Sequence, residues 1–581
     1  MSDPSPYIIA AAVTTPVAAY EHDEGRPALQ RQLSIQQAIA EGHDADIPSD
    51  IGVVLDEQGE KRLHDVIALK RRNSLALRRS HSGATRSLAR DVEREAGTET
   101  DGHKSEEPDA TSSDDDSNVV WWDGEDDPQN PYNWPTWVKV VNCAFVSAMT
   151  FIAPLGSSIF APGVGLLMYE FHSSSRELAS FVVSVYVLGF AAGPLVIAPL
   201  SEIYGRLALY HACNIAFMGF LVGCALAPSL DALIVFRFLS GVFGSCALAN
   251  GGGSIADMIH PEQRATAMAA FGIGPLLGPI IGPVAGGFLA GAKGWRWVFW
   301  LLVIIVGALT VAMFIFARES YAPVLLQRKV DRLRKETGND LLRSKLDAGL
   351  SKKDYFKRSI IRPLRLLVKS PVCTIFALYT ALVYGYLYLM FTTISEVFIK
   401  SYNFTTSTVG LVFIGLGVGC LIGMFYYSVT SNRLVQKKLA NKDGPPLKPE
   451  DRLVSLPVGA IVFPVGFFIY GWTAQYQVHW IVPILAHMLI GIGNIIIFMA
   501  LSTALLDMFN MYAASALAAN TVVRSVFGAV LPLAGLQMYD ALGLGWGNSL
   551  LGFVAASMIP GSFLIVRYSE MLRIKYEIKD L

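Results

Sequence analysis

Glu202, Arg206, Arg237, Asp257, Glu396, Asp507 and Arg524 fall inside, or at the ends of, long apolar stretches of this chain. An ionised side chain at mid-bilayer costs about 2.5 to 3.5 kcal/mol on insertion scales, so charges in such settings mark proton relays, ion pairs or ligand contacts. Arg237 lies several residues into its run, where it either faces the protein interior or snorkels to the nearer interface. Glu396, near the end of another, either titrates with substrate exchange or belongs to a solvated helix end. Asp257 and Asp507 close two runs at matching places. Each serves gating, proton movement or a helix-end hydrogen bond. Arg524 needs a partner, for which Asp507 or a cavity water is the candidate. Glu202 and Arg206, flanking Gly205 in a short turn, are placed to pair with a neighbouring helix.

Other chemistries find no residues. There is no Gly-x-x-x-x-Gly-Lys loop for ATP, so no bound nucleotide supplies energy. No Ser/His/Asp set or metal cluster stands out, and His211 and His487 lie inside apolar runs. The reading is therefore of a protein that is not an enzyme and needs no cofactor beyond a proton gradient. It does not bind nucleic acid.

The elements that must position these residues are membrane helices. About twelve runs reach the roughly 20 apolar residues that cross a bilayer as a helix. They fall near 137 to 162, 178 to 200, 207 to 227, 232 to 254, 265 to 290, 296 to 316, 372 to 395, 408 to 429, 453 to 473, 479 to 502, 513 to 536 and 548 to 567. With 52% hydrophobic and 16% charged residues and a mean hydropathy of +0.41, the chain departs from soluble composition in the same direction. The cysteines have no paired spacing and read as small apolar fillers.

Residues 1–118 differ, being rich in Ser, Asp, Glu and Arg, and read as a disordered tail without a cleaved signal peptide. Basic patches at Lys70 to Arg72 and Arg78 to Arg79 precede Ser74, Ser80 and Ser82, the spacing of basophilic kinase sites; the alternative is solvated charge without a role. A Trp/Pro-rich segment (119–136), a six-helix half (137–317), a basic linker (318–370), a second six-helix half (371–568) and a short tail (569–581) follow. Lys and Arg crowd the linker and the connection after span eight, which places both termini in the cytoplasm. The fold class is an all-α polytopic membrane protein of two six-helix halves.

Several motifs then occur in order. They are the tryptophan-rich segment Trp121 to Pro135, APLSEIYGR (Ala198 to Arg206), RFLSG (Arg237 to Gly241), a Gly-x-x-x-Gly-Pro-x-x-Gly-Gly pattern in span five carrying Gly278, Gly282, Pro283, Gly286 and Gly287, ESYAPVLL (Glu319 to Leu326), PEDRL (Pro449 to Leu453) and ASALAANTVVRS (Ala514 to Ser525). Together they resemble the major facilitator superfamily, and within it the fungal twelve-helix drug:proton antiporters, over residues 119 to 570. The chain departs from the usual pattern at Ala198, Glu202, Ile203 and Ala269.

The resemblance implies alternating access between the halves, proton coupling or substrate contact at Arg237, and an exchange-favouring helix in span five, whose glycines otherwise serve packing alone. It also implies a central cavity lined by spans one, four, seven and ten. Candidates for its wall are Asn142, Tyr186, Asn250, Tyr384, Tyr388, Phe391, Asn494, Phe498 and Asn520, or these pack helices. Aromatics with a few amides suit bulky amphiphiles. The expected activity is export of a drug-like compound or secondary metabolite in exchange for protons. A proton-coupled importer and a non-transporting nutrient sensor are the alternatives. The expected setting is the plasma membrane, or the vacuolar membrane, with a monomer among lipids and a sequon at Asn403 close to the bilayer.

Overall fold

The computed structural model describes residues 118–124, 126–347, 349, 351–440, 448–509 and 512–576. The tail with its kinase-type serines lies outside them.

Serines start several of the helices. Ser175, Ser229 and Ser370 each accept a hydrogen bond from the backbone N–H three residues on, capping spans two, four and seven at the points where the apolar runs begin. The first half comprises spans one (Thr136–Ser158), two (Arg176–Tyr204), three (Arg206–Ala225), four, five (Pro261–Lys293) and six (Arg296–Phe316). Span four is two helices, Leu230–Gly244 and Cys246–Met258, which meet at Ser245.

The second half comprises spans seven (Pro371–Tyr402), eight (Phe413–Ala440), nine (Leu456–Gln475) and ten (Ile481–Phe509), followed by Ala513–Lys575. That last helix turns at Gly543, whose φ of 76° and ψ of 171° are not helical, so it supplies spans eleven (513–542) and twelve (544–575). Eleven helices among the described residues are long and apolar enough to cross a membrane, this one serving as two. The twelve expected runs are thus all helical, most of their starts within a few residues of expectation, while the helices of spans seven, eight, ten and twelve continue well past their expected ends, span eight to Ala440.

The linker is folded. Between its first helix, Ala322–Thr337, and its second, Lys352–Lys369, lies β2 (Arg343–Ser344), which pairs in parallel with β1 (Val119–Val120), so the Trp-rich segment is stitched to the linker. Lys329 is 4% exposed there, donating to the Trp121 carbonyl at 3.0 Å and to Asp123 Oδ1 at 2.6 Å, with Asp127 Oδ2 at 3.6 Å. Burial acts to raise the Asp127 pKa, but the Asp123 and Gln129 backbone N–H groups and the Lys329 ammonium outweigh it and hold the carboxyl below its usual range.

Candidate functional site

Three layers of polar groups cross the bundle: one beside the linker, one at mid-depth and one on the opposite side. The linker side is built around the turn between spans two and three. Gly205 has φ of 101°, and a Cβ there would meet the Glu319 carboxylate. Glu319 accepts from the Arg206 and Leu207 N–H groups at 2.9 and 3.1 Å, satisfying the orphan donors at the start of span three. Arg206 donates from Nε to Asp257 Oδ2 at 3.2 Å and from Nη1 to Ser201 Oγ at 2.6 Å. Glu202 accepts from the Tyr355 hydroxyl on the second linker helix; burial, reinforced by Glu202, raises the Tyr355 pKa.

The second half repeats this set. Arg452 donates from Nε to Asp507 Oδ2 at 3.0 Å and from Nη1 to Ser431 Oγ at 2.8 Å. Asp507 is therefore engaged by Arg452, and the expected pairing with Arg524 is not made. A guanidinium fork holding a serine and a helix-end aspartate thus occurs once in each half.

Two amides expected in the central cavity belong to the linker-side layer instead. Asn142 accepts from the Arg318 N–H at 3.0 Å and donates to the Val138 carbonyl at 2.8 Å, and Asn250 accepts from Ser201 Oγ at 2.9 Å. Their hydrogen-bonding capacity is committed to the first half's own framework, so they do not converge with the other candidates.

At mid-depth, Arg237 is fully buried, and of the two placements open from sequence it occupies the interior. Its guanidinium donates to the carbonyls of Gly156, Ser157, Val182 and Val183 at 2.9 to 3.3 Å and lies 4.9 Å from the Tyr186 ring centroid. Four carbonyls replace the absent carboxylate. Tyr186 belongs to span two, sealed behind the wall, with its hydroxyl donating to the Ala153 carbonyl at 3.0 Å.

The seam between the halves passes through Ser157 of span one, whose Oγ is 3.0 Å from the Tyr388 hydroxyl of span seven. Tyr388 touches Tyr384 and Phe391, with ring centroids 5.0 and 5.4 Å away. Phe391 stacks in turn on Phe413 at 5.6 Å. Arg524 sits between Tyr384 and Phe498, 5.1 Å from each ring centroid. Asn494 donates to the Val383 carbonyl at 3.2 Å, while Asn520, 2% exposed, leaves its Oδ1 without a partner. Tyr384, Tyr388, Phe391, Phe498, Asn520 and Arg524 are thus brought together.

On the opposite side Arg176 of span two binds Glu396 of span seven and, at 3.2 Å from Nε, Asp540 of span eleven. Lys400 adds a 2.5 Å contact to Glu396, and Gln537 binds Glu177. Glu396 is therefore ion-paired across the halves, with its side chain 28% exposed. Asn403 is the exposed left-handed residue that ends span seven.

Span five runs along this seam. A Cβ on Gly278 would come 2.7 Å from the Phe151 carbonyl, one on Gly282 2.5 Å from Ser158 Oγ, and one on Gly286 would collide with the Ile159 carbonyl. Those glycines face span one. Gly287 faces the other half, where a Cβ would lie 2.9 Å from the Thr406 carbonyl. Pro283 approaches that half too, its carbonyl standing where a Cβ on Gly410 would go.

Sequence reasoning missed Arg176, Glu319, Tyr355, Arg452 and Asp540. Of these Glu319 had a signal as the first residue of ESYAPVLL, and Arg452 another, since its place in PEDRL, ahead of Asp507, parallels Arg206 ahead of Asp257. The others are recruited by tertiary proximity.

Comparison with known proteins follows the same lines. Residues 146–532 match the family model described as Major Facilitator Superfamily. The chain is 55% identical over 458 residues to the MFS-type transporter tndD of Aspergillus flavipes, covering 78% of this chain and 85% of that protein. It is 50% identical over 460 residues to the efflux pump radE of Floropilus chiversii, covering 79% and 85%. The crystal structure of a D-xylose-proton symporter superposes with a TM-score of 0.56 at 16% identity, covering 72% of this chain and 97% of the other, a likeness of fold.

Proposed function

The chain belongs to the Major Facilitator Superfamily, and from its place among those membrane transporters we propose that it exports a small amphiphilic organic molecule in exchange for protons. The cargo is a drug-like compound or a secreted secondary metabolite, and it crosses by alternating access at the seam lined by Tyr384, Tyr388, Phe391 and Phe498. The protein is a transporter and not an enzyme. It works as a monomer in the plasma membrane, with both termini in the cytoplasm, on the proton gradient alone.

One observation carries the reading: span five fits its glycine face against span one while Gly287 and Pro283 meet the start of span eight in the other half. Contacts that close leave no room for a leak on that side unless the halves move as bodies, which favours obligatory exchange. Arg206 with Asp257 and Arg452 with Asp507 gate the linker side. Arg176 with Glu396 and Asp540 gates the other.

The test is transport by the purified chain in liposomes with an imposed proton gradient, offered pooled amphiphiles, organic acids and polyamines. The reading expects one pool to move against the proton flow, and Arg237→Ala to abolish that movement. Co-movement with protons would make the protein an importer and refute the export reading; no gradient-dependent movement of any pool would refute transport itself.

A further inference from the structure

No aspartate or glutamate falls in the middle of any span: Glu177, Glu202, Asp231, Asp257, Glu262, Glu396, Asp507, Asp540 and Glu570 all lie toward helix ends. The charge left inside the bundle is positive. Arg237 is sealed from any ligand, its N–H groups turned to carbonyls. Arg524 is different. It is half-buried, and it makes no ion pair or hydrogen bond among the described residues; its Nε is buried without an acceptor.

A half-buried guanidinium whose Nε is buried without an acceptor is costly unless an acceptor arrives. The rings of Tyr384 and Phe498 attract its cationic faces but satisfy none of its N–H groups, which point outward in the plane of the fork. One turn earlier on the same face of span eleven, the buried Asn520 Oδ1 also lacks a donor. The next turn, at Gly528, packs against both Tyr384 and Val187, so this face lies at the seam between the halves. A donor fork without an acceptor and an acceptor without a donor therefore sit side by side, flanked by aromatic rings, where low dielectric strengthens any charge contact.

We propose that the Arg524 fork, with Asn520 beside it and Tyr384 and Phe498 as its walls, is the binding site for the carboxylate of an anionic aromatic cargo that also carries a hydroxyl. This rests on the export reading and narrows its substrate class. The carboxylate takes the two free N–H edges of Arg524 and the hydroxyl donates to Asn520, while the rings cover the aromatic body. Cationic cargo is disfavoured at the same position by an uncompensated positive charge.

The experiment compares 6-hydroxy-2-naphthoate with 6-hydroxy-2-naphthamide, probes of nearly equal shape that differ in charge. Binding is measured to the full chain in nanodiscs of zwitterionic lipid, and gradient-driven movement of both probes in liposomes of the same lipid, corrected with protein-free vesicles. The acid binds the wild type about tenfold or more tighter than the amide, the increment of a charge-assisted hydrogen bond. Arg524→Gln brings the ratio within about twofold of unity, and Arg524→Lys, which keeps the charge but not the fork, leaves it in between. Equal binding of acid and amide by the wild type overturns the proposal without any variant, as does an unchanged ratio in Arg524→Gln. If the amide alone is driven by the gradient, export stands and the anionic class falls; if neither probe binds or moves, the anionic proposal falls, and export itself is decided by the pooled screen.

Discussion

At the scale of single residues, the two buried arginines have opposite work. Arg237 holds together the backbones of spans one and two through four carbonyls, so its loss removes four buried charge-assisted hydrogen bonds and leaves a void beside Tyr186 and Phe299. Arg237→Ala should therefore cost about 3 kcal/mol or more and lower the melting temperature in detergent by several degrees; Arg237→Lys, lacking the planar fork, recovers only part. An unchanged melting temperature would contradict this. Asp127 supports a pH prediction. Its folded pKa lies below the ordinary 3.8, so its contribution to the linker clasp is complete above that value and is lost as the pH falls through the folded one. Amide-exchange protection of Val119 and Val120 should be flat from pH 8 to about 5 once corrected for intrinsic rates, and collapse only below about pH 4. Collapse near neutrality would place the clasp elsewhere.

At the scale of elements, span five is where substitution tests packing against coupling. A side chain at Gly286 must displace the backbone of span one, because the atom it meets is the Ile159 carbonyl and not a movable side-chain tip. Gly286→Val should raise passive proton leak in liposomes on the order of tenfold and abolish exchange, whereas a variant that folds, exchanges and does not leak would reduce this face to simple packing. Such helices were legible in the sequence because an uninterrupted apolar run has no other way to satisfy its backbone in a bilayer. The break of span four at Ser245 and the stitched linker were not, since one depends on local geometry and the other on strands two residues long held by distant partners. In the site, the aromatic group with Arg524 was legible as residue types, but Asn142 and Asn250 were misplaced because an amide in a span looks alike whether it faces a ligand or a neighbouring hydroxyl.

At the scale of the whole molecule, the halves are held on the side away from the linker by Arg176 with Glu396 and Asp540. Arg176 and Glu396 are 34% and 28% exposed at their side chains, so each ion pair is worth on the order of 0.5 to 1 kcal/mol after solvent screening. Arg176→Gln should then shift the equilibrium between closed and open states of that side by roughly five- to thirtyfold, read as faster labelling of a cysteine placed at Ser157 in a background without native cysteines. No change in labelling would show that the latch does not govern access. On the proposed export reading, cargo and protons move in opposite directions through a seam opened by relative motion of the halves. Its most direct test loads liposomes holding the full chain with a pH-reporting dye, imposes a cargo gradient and no proton gradient, and follows lumenal pH. Exchange predicts that cargo entering the lumen drives protons out and raises lumenal pH, with no such change in protein-free vesicles; acidification of the lumen as cargo enters would contradict the account.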